Sequence, residues 1–185
     1  MSKLNRNWRI LNGQSVSGKA LLTLAVLFVL SSGRAYATNY GYLEASGGTA
    51  TIQGNGDIIF SSSTDGGASI YADNGAVVTV GSTSTTSGYD TITANGEVLA
   101  QDSSEVDLYA DSAVLNRSTS GRAISSENGS AITVGSSDTS SITTTGEVIA
   151  TDGSGSEAST ITLTAGDITM NYDPNPYRSG GEDNT

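Results

Sequence analysis

Apolar residues in this chain come in short β-branched bursts, and this pattern constrains the fold more than any other feature. Fourteen such bursts lie between Ala50 and Met170, separated by Gly, Asn, Asp and Ser. In the burst TITLT at 160–164, two aliphatic residues alternate with threonines, as in a strand with one buried and one exposed face. No segment after residue 38 has a helical period of useful length. The sequence therefore predicts an all-β fold of fourteen short strands.

Asparagine–glycine pairs mark bends between the bursts. Such pairs tolerate a positive φ, which a tight turn requires. They are Asn55-Gly56, Asn74-Gly75, Asn95-Gly96 and Asn128-Gly129. We expect the backbone to turn at each of them.

One segment of the chain repeats. Residues 74–102 (NGAVVTVGSTSTTSGYDTITANGEVLAQD) match residues 128–152 (NGSAITVGSSDTSSITTTGEVIATD). The offset is 54 between Gly81 and Gly135 but 50 between Gly96 and Gly146, so the second copy lacks four residues of a Ser/Thr-rich loop. Stacked repeat units tolerate a deletion that is confined to a loop. The repeat therefore predicts a solenoid.

The composition after residue 37 favours a narrow core. Ser, Thr and Gly supply 66 of the 148 residues from Thr38 to Thr185, which include one Phe and no Trp or Cys. A β-sandwich needs about seven longer strands with bulky inward residues. We predict instead a right-handed parallel β-helix, in which small aliphatic and hydroxyl residues stack inside short coils. At about 18 to 25 residues per coil, residues 45–170 would form roughly five to seven coils.

The first 37 residues have the chemistry of an export signal. They contain five of the eight basic side chains and none of the nineteen acids. An apolar run at 20–30 (ALLTLAVLFVL) precedes Ala35 and Ala37, which form the A-x-A pattern of a cleavage site. As a helix this run would cover roughly half of a hydrocarbon core, so a permanent membrane span is not expected. We predict a signal peptide at 1–37 that is cleaved before Thr38, a β-helical domain at 38–170 and a disordered tail at 171–185.

The predicted mature product is strongly acidic. It has three arginines and all nineteen acids, a net charge of −16, and it lacks Lys and His. Such a surface repels phosphates, so we expect no nucleic-acid partner. Without His and Lys, a serine nucleophile lacks its usual base, and zinc and iron lose their preferred ligands. We therefore predict a non-enzymatic protein and assign no catalytic residue, cofactor or metal ligand; calcium, which binds carboxylates and carbonyls, stays open.

Four carboxylates and two arginines come nearest to a catalytic cluster. They are Asp102, Glu105, Asp107, Asp111, Arg117 and Arg122. Asp107 alternates with apolar neighbours and should face outward, which would place Glu105 on the opposite side of the strand or in the preceding turn. A solvated acidic face explains the same residues, and we prefer that interpretation. A secreted carbohydrate-active enzyme is the main alternative function.

Tyrosines provide a candidate contact surface. We single out Tyr71, Tyr89 and Tyr109, because tyrosine offers contact area together with a polar tip. Half-buried packing at the edges of the solenoid explains the same tyrosines, and we prefer that interpretation.

Taken together, the leader and the coils resemble the passenger domains of Gram-negative autotransporters of the adhesin type. The resemblance covers residues 1–170 and rests on the leader, the Gly/Ser/Thr-rich coils and the phrases NGxxxTVG and TxxGEVxA. It implies a parallel β-helix displayed at the cell surface and acting in adhesion or aggregation. The implied partners are a receptor or glycan on a host or neighbouring cell, and the Sec translocon during export.

The chain departs from this family at its end, where an autotransporter has a membrane barrel. The last residues, NYDPNPYRSGGEDNT, contain Pro174 and Pro176, which end the strand pattern. Three explanations stay open: a gene fragment or an inert truncated remnant, a passenger with a separately encoded outer-membrane barrel, or a short freestanding secreted β-helix. With a barrel partner we expect a surface or secreted protein, and otherwise a periplasmic one.

Overall fold

The chain folds into a parallel β-solenoid of about four turns, which confirms the predicted fold class. The computed structural model describes residues 24–27, 37–62, 67–83, 88–117, 121–153 and 158–172. Every regular element in these ranges is a β-strand, and each strand pairs in parallel with the strand three places along the chain. Successive coils therefore stack directly on one another.

Three sheets form the walls of the solenoid, and each full coil contributes one strand to each of them. Sheet A contains β1 (Leu24–Leu27), β4 (Thr49–Gln53), β7 (Val77–Val80), β10 (Glu105–Leu108), β13 (Ala131–Gly135) and β16 (Thr160–Thr164). Sheet B contains β2 (Thr38–Tyr40), β5 (Gly56–Ser61), β8 (Tyr89–Asn95), β11 (Ala110–Asn116), β14 (Ser141–Thr145) and β17 (Asp167–Asn171). Sheet C contains β3 (Leu43–Ser46), β6 (Ala68–Asp73), β9 (Glu97–Ala100), β12 (Arg122–Glu127) and β15 (Glu147–Thr151).

The fourteen predicted bursts each overlap one strand, from β4 to β17. The structure adds three strands that the burst pattern missed: β1, which lies within the predicted signal peptide, and β2 and β3. The sequence of β2 is TNY, with no aliphatic residue, and that of β3 is LEAS, with a single large one. Neighbouring strands, rather than their own apolar content, hold these two segments in the sheets.

The predicted coil length was too short. Val78 of β7 pairs with Val106 of β10, 28 residues later, and Ile132 of β13 pairs with Ile161 of β16, 29 residues later. Residues 81–88 join β7 to β8, and residues 152–159 join β15 to β16. Such loops lengthen the coils that contain them, and the chain forms about four turns rather than five to seven.

Inward-facing side chains form continuous columns along the axis. Sheet A stacks Val78, Val106 and Ile132, each no more than 1% exposed. Sheet C stacks small residues, Ala72 on Ala100, and both are fully buried. The narrow core predicted from the composition is confirmed, and apolar burial along these columns is its main source of stability.

Two consecutive residues with positive φ turn the chain from sheet C to sheet A. The pairs are Gly47–Gly48, Asn74–Gly75, Asp102–Ser103 and Asn128–Gly129. The stacked corners are linked, because Asn128 Nδ2 donates a hydrogen bond to Asp102 Oδ1 at 3.0 Å. Two of the predicted turns therefore have this geometry, whereas at Asn55-Gly56 only the glycine has a positive φ and at Asn95-Gly96 neither residue does.

The predicted signal peptide and tail fall largely outside the described residues. Within 1–37, the structure describes β1, which pairs in parallel with β4, and Ala37, which is exposed. At the other end, β17 extends to Asn171, one residue past the predicted domain boundary. In the ranges that the structure covers, no helix is long and apolar enough to span a membrane.

Candidate functional site

The outward face of sheet A carries a column of hydroxyl residues with a carboxylate in the middle. Consecutive coils place these residues in register: Thr51, Thr79, Asp107, Thr133 and Thr162. All five are half-buried or exposed. Because parallel strands lie about 4.8 Å apart, the column presents one polar group at each step along the axis.

Sheet B adds two outward columns of similar chemistry. One contains Asp57, Thr91, Ser112, Ser141 and Asp167, and the other contains Ile59, Thr93, Val114, Thr143 and Thr169. The Ser141 hydroxyl donates a hydrogen bond to Ser112 Oγ at 3.2 Å. We call the three columns of sheets A and B the hydroxyl columns.

Glu105 and Asp107 lie on the same outward face of β10. Val106 and Leu108 between and after them are buried, so burial alternates along the strand. The prediction that Glu105 lies on the opposite side of the strand from Asp107 or in the preceding turn is therefore wrong, because Glu105 begins β10 and residues i and i+2 of a strand share a face.

The surroundings of Asp107 favour its protonated form. Burial raises the pKa of Asp107, and the nearby Glu105 carboxylate raises this pKa further. A hydrogen bond with the Thr133 side chain opposes this rise. Asp107 Oδ1 has no hydrogen-bond partner among the described residues. The Asp107 carboxyl can thus hold a proton beside Glu105.

A second charged group lies along sheet C, with Glu97, Arg122 and Glu147 at the first residues of their strands and Glu127 at the last residue of β12. Arg117 Nη1 is 2.5 Å from Glu97 Oε2, and their side chains are 29% and 10% exposed. Arg122 Nη1 is 2.7 Å from Glu127 Oε1, and Arg122 Nε is 3.8 Å from Glu147 Oε2. Burial raises the pKa of Glu97, while the Arg117 and Arg122 charges act in the opposite direction.

Arg117 connects three neighbouring coils. Its side chain lies so close to Gly67 and Gly121 that a Cβ on either glycine would be 3.0 Å from it. Between these coils its guanidinium binds Glu97, and it also donates to the Arg122 carbonyl oxygen at 3.4 Å. Arg117 therefore has partners throughout its length, as expected of a residue that stabilises the stack.

The candidate catalytic residues do not form one site. Asp107 lies on sheet A, Asp111 on sheet B and Arg122 on sheet C, because one coil turns the chain through all three sheets. Asp102 belongs to a corner, where it accepts the hydrogen bond from Asn128. Residues that are close in sequence, such as Asp107 and Asp111, therefore lie on different faces of the solenoid.

The sequence prediction missed Glu97 and Glu147 as members of the charged group. Both follow a glycine in the repeated phrase TxxGEVxA, at equivalent positions of the two copies. The sequence signal that pointed to these two residues was the glutamate that both copies of the repeat retain.

The three candidate contact tyrosines differ in exposure. Tyr71 is half-buried; its hydroxyl donates to Asp73 Oδ2 at 3.3 Å and accepts from Gln101 Nε2 at 2.5 Å. Tyr109 is also half-buried. Tyr89 is only 4% exposed, so its predicted role in surface contact is wrong. Its ring packs against Gly54, where an added Cβ would lie 2.7 Å from the Tyr89 hydroxyl oxygen.

The buried tyrosine hydroxyls are hard to ionise. Burial, followed by the nearby Asp73 charge, raises the pKa of Tyr71 to about 12. Burial likewise raises the pKa of Tyr89 to about 12. Neither hydroxyl therefore serves as a base at neutral pH.

Two of the three residues at the predicted cleavage site lie among the residues that the structure describes. Ala35 lies outside the described residues, whereas Ala37 is exposed and Thr38 is the exposed first residue of β2. Among the described residues, no three carboxylates gather closely enough to hold a metal ion.

The chain matches no protein-family model, no curated protein and no solved structure.

Proposed function

We propose that this protein is an exported, acidic β-solenoid that acts in adhesion or aggregation by multivalent surface contact. Its ligand would be a receptor or hydroxyl-rich glycan on a host or neighbouring cell, and a separately encoded partner would display it. The observation that carries this proposal is the register of the hydroxyl columns. The sheet A column and the Asp57 column of sheet B repeat one weak hydrogen-bonding group per coil on a rigid scaffold, so that individually weak contacts add through effective concentration.

The test is binding of the immobilised protein to a panel of polysaccharides and to intact bacterial cells. We expect Thr79→Ala or Thr133→Ala alone to weaken binding less than about threefold, and the pair together with Thr162→Ala to weaken it at least about tenfold. Thr144→Val is the matched control, because it removes a hydroxyl that faces the core. Unchanged binding in the triple variant, or complete loss in one single variant, would contradict a multivalent face.

A carbohydrate-active enzyme is a second candidate, favoured by the Glu105–Asp107 pair. A carboxyl with a raised pKa beside a second carboxyl group is the arrangement that glycoside cleavage uses. The test is a screen for polysaccharide cleavage with the wild type, Asp107→Asn and Glu105→Gln. Cleavage that both substitutions abolish, while Asp111→Asn on sheet B retains it, would establish this function in place of simple adhesion.

A further inference from the structure

The C-terminal end of the solenoid exposes residues that belong to the core. In β17, Ile168 continues the column of Ile142, and Met170 continues that of Thr144. With no strand beyond β17 in the described residues, Ile168 is 43% exposed, Met170 is 59% exposed and the following Tyr172 is 47% exposed. These inward positions form an apolar end face.

Both ends of the solenoid also present strand edges. Among the described strands, β15, β16 and β17 end their sheets, and β1, β2 and β3 begin them. Natural proteins usually protect such edges with proline, lysine or a covering segment. These six strands contain no proline, lysine or arginine, and their only charges are Glu44, Glu147 and Asp167. The six edge strands therefore carry neither proline nor lysine, two of the common devices that block strand addition.

The N-terminal edge has the geometry to cover the C-terminal one. All three sheets are parallel, so a second copy placed along the axis offers strands that run in the required direction. In register, β2 would pair with β17 and bring Tyr40 over Met170, as Tyr40 already lies over Phe60 within one chain. Likewise β3 would bring Leu43 over Val148, continuing a column that Leu43 and Ile70 begin.

The residues that follow β17 are poorly suited to this position. Pro174 and Pro176 have no N–H group to donate to a ladder. Glu182 and Asp183 would add charge to an apolar face.

We propose that copies of this chain associate head to tail, the C-terminal end of one solenoid stacking on the N-terminal end of the next. The contact is heterologous, because two different surfaces meet, and it leaves a free end on each side of the dimer. Association therefore continues into longer rods. This inference does not depend on what the hydroxyl columns bind.

Engineered cysteines test the contact directly, since the natural chain has none. A full-length Tyr40→Cys variant mixed with a Met170→Cys variant should form a disulfide-linked dimer of one copy of each, because neighbouring strands place Cα atoms within the range of a disulfide. Thr169→Cys replaces Met170→Cys in the control mixture. It lies on the same strand but faces outward, so we expect little cross-linking.

Sedimentation velocity over a range of concentrations provides the second measurement. The wild type should associate as its concentration rises, Met170→Glu should weaken association about tenfold or more, and Thr169→Glu should leave it close to wild type. A wild type that remains monomeric, with its end covered by its own residues 173–185, would overturn the proposal. So would Met170→Cys homodimers in excess of mixed dimers, since they indicate a tail-to-tail contact.

Discussion

Thr144 places a hydroxyl in a column that is otherwise apolar. Phe60, Ala94 and Leu115 precede it in register, and Thr144 itself is fully buried. Its Oγ1 has no hydrogen-bond partner among the described residues. A buried, unpaired hydroxyl costs about 1–3 kcal/mol relative to an apolar group of the same shape. The Thr144 hydroxyl therefore lowers the free energy of unfolding relative to the same fold with an apolar side chain at this position.

We expect Thr144→Val to raise the free energy of unfolding by about 1 kcal/mol, because it removes the unpaired hydroxyl and preserves the shape of the side chain. Urea denaturation measures the change. Thr143→Val, on the outward face of the same strand, is the control and should change stability by less than about 0.5 kcal/mol. A destabilised Thr144→Val variant would show that this hydroxyl is bonded in solution.

Arg117 neutralises a carboxylate that burial would otherwise make costly. We expect Arg117→Met to lower the free energy of unfolding by about 2–4 kcal/mol at pH 7, because Glu97 is then left buried without its cation. Without Arg117 the folded-state pKa of Glu97 rises further. The deficit should therefore shrink as the pH falls and Glu97 gains its proton.

Arg122→Met is the matched control for Arg117→Met. The Arg122 side chain is 46% exposed, so its ion pairs with Glu127 and Glu147 should contribute less than about 1 kcal/mol. Chemical denaturation at pH 7 and pH 4.5 measures both variants. Equal losses for the two arginines would contradict the distinct role given to Arg117.

At the scale of the strand and its corner, the repeat retains glycine where the next coil comes closest. Gly81 and Gly135 occupy equivalent positions and have φ values of 84° and 80°. A Cβ at Gly81 would collide with the backbone oxygen of Tyr109, and a Cβ at Gly135 with that of Thr164. The spacing between coils, rather than the turn alone, therefore requires glycine.

We expect Gly135→Ala to lower the free energy of unfolding by about 2–3 kcal/mol, because it combines a positive φ with a backbone collision. Thermal and urea denaturation measure the loss. Gly41→Ala is the control: no atom lies within 4 Å of its added Cβ and its φ is not positive, so stability should be unchanged or slightly higher. If Gly135→Ala does not lower the free energy of unfolding, neighbouring coils separate at this position more easily than the hydrogen bonds between them indicate.

Buried serines connect consecutive corners in a similar way. Ser104 Oγ accepts a hydrogen bond from the Ala76 N–H at 3.1 Å, and Ser130 Oγ accepts one from the Ser104 N–H at 3.1 Å. Both serines are nearly fully buried. Small hydroxyl residues thus complete the backbone ladder where the chain changes sheets, which accounts for part of the unusual serine content.

At the scale of the whole molecule, the sequence predicted what repeats and missed what varies between coils. The alternation in TITLT identified β16 with its exact bounds, and the offset between Gly81 and Gly135 equals the separation of two stacked coils. The burst pattern carries no information on loop length, so the number of coils was overestimated. The corner at Asp102–Ser103 was also missed, since neither residue is a glycine although both have positive φ.

The candidate site was predicted less completely than the fold for a related reason. Alternation within β10 correctly placed Asp107 outward, and a strict period of two would have placed Glu105 beside it. Contacts between coils, such as that of Arg117 with Glu97, depend on which residues meet across a turn of the chain. Predicting which residues meet requires the number of residues that each loop adds to a coil, and only the structure provides this number.

The same stacking makes the stability of the molecule sensitive to its net charge. The chain as a whole carries a net charge of −11, and its acidic residues all follow residue 37. Where a shift of a carboxyl pKa is resolved, at Glu97 and Asp107, the folded state raises it. Both effects disfavour the folded state when the carboxyls are ionised.

We therefore expect the protein to be more stable at pH 4.5 than at pH 7. A carboxyl whose pKa is raised on folding contributes stability below its unfolded-state pKa, and this contribution is lost as the pH rises through the folded-state value. Thermal denaturation between pH 4.5 and pH 8 should show a midpoint that falls as the pH rises.

Added salt should raise the midpoint more at pH 7 than at pH 4.5, because it screens repulsion between ionised groups. Glu97→Gln combined with Asp107→Asn should flatten the pH dependence, whereas Asp138→Asn, in an exposed turn, should preserve it. A midpoint that rises steadily from pH 4.5 to pH 7 would show instead that ionised carboxylates hold the coils together.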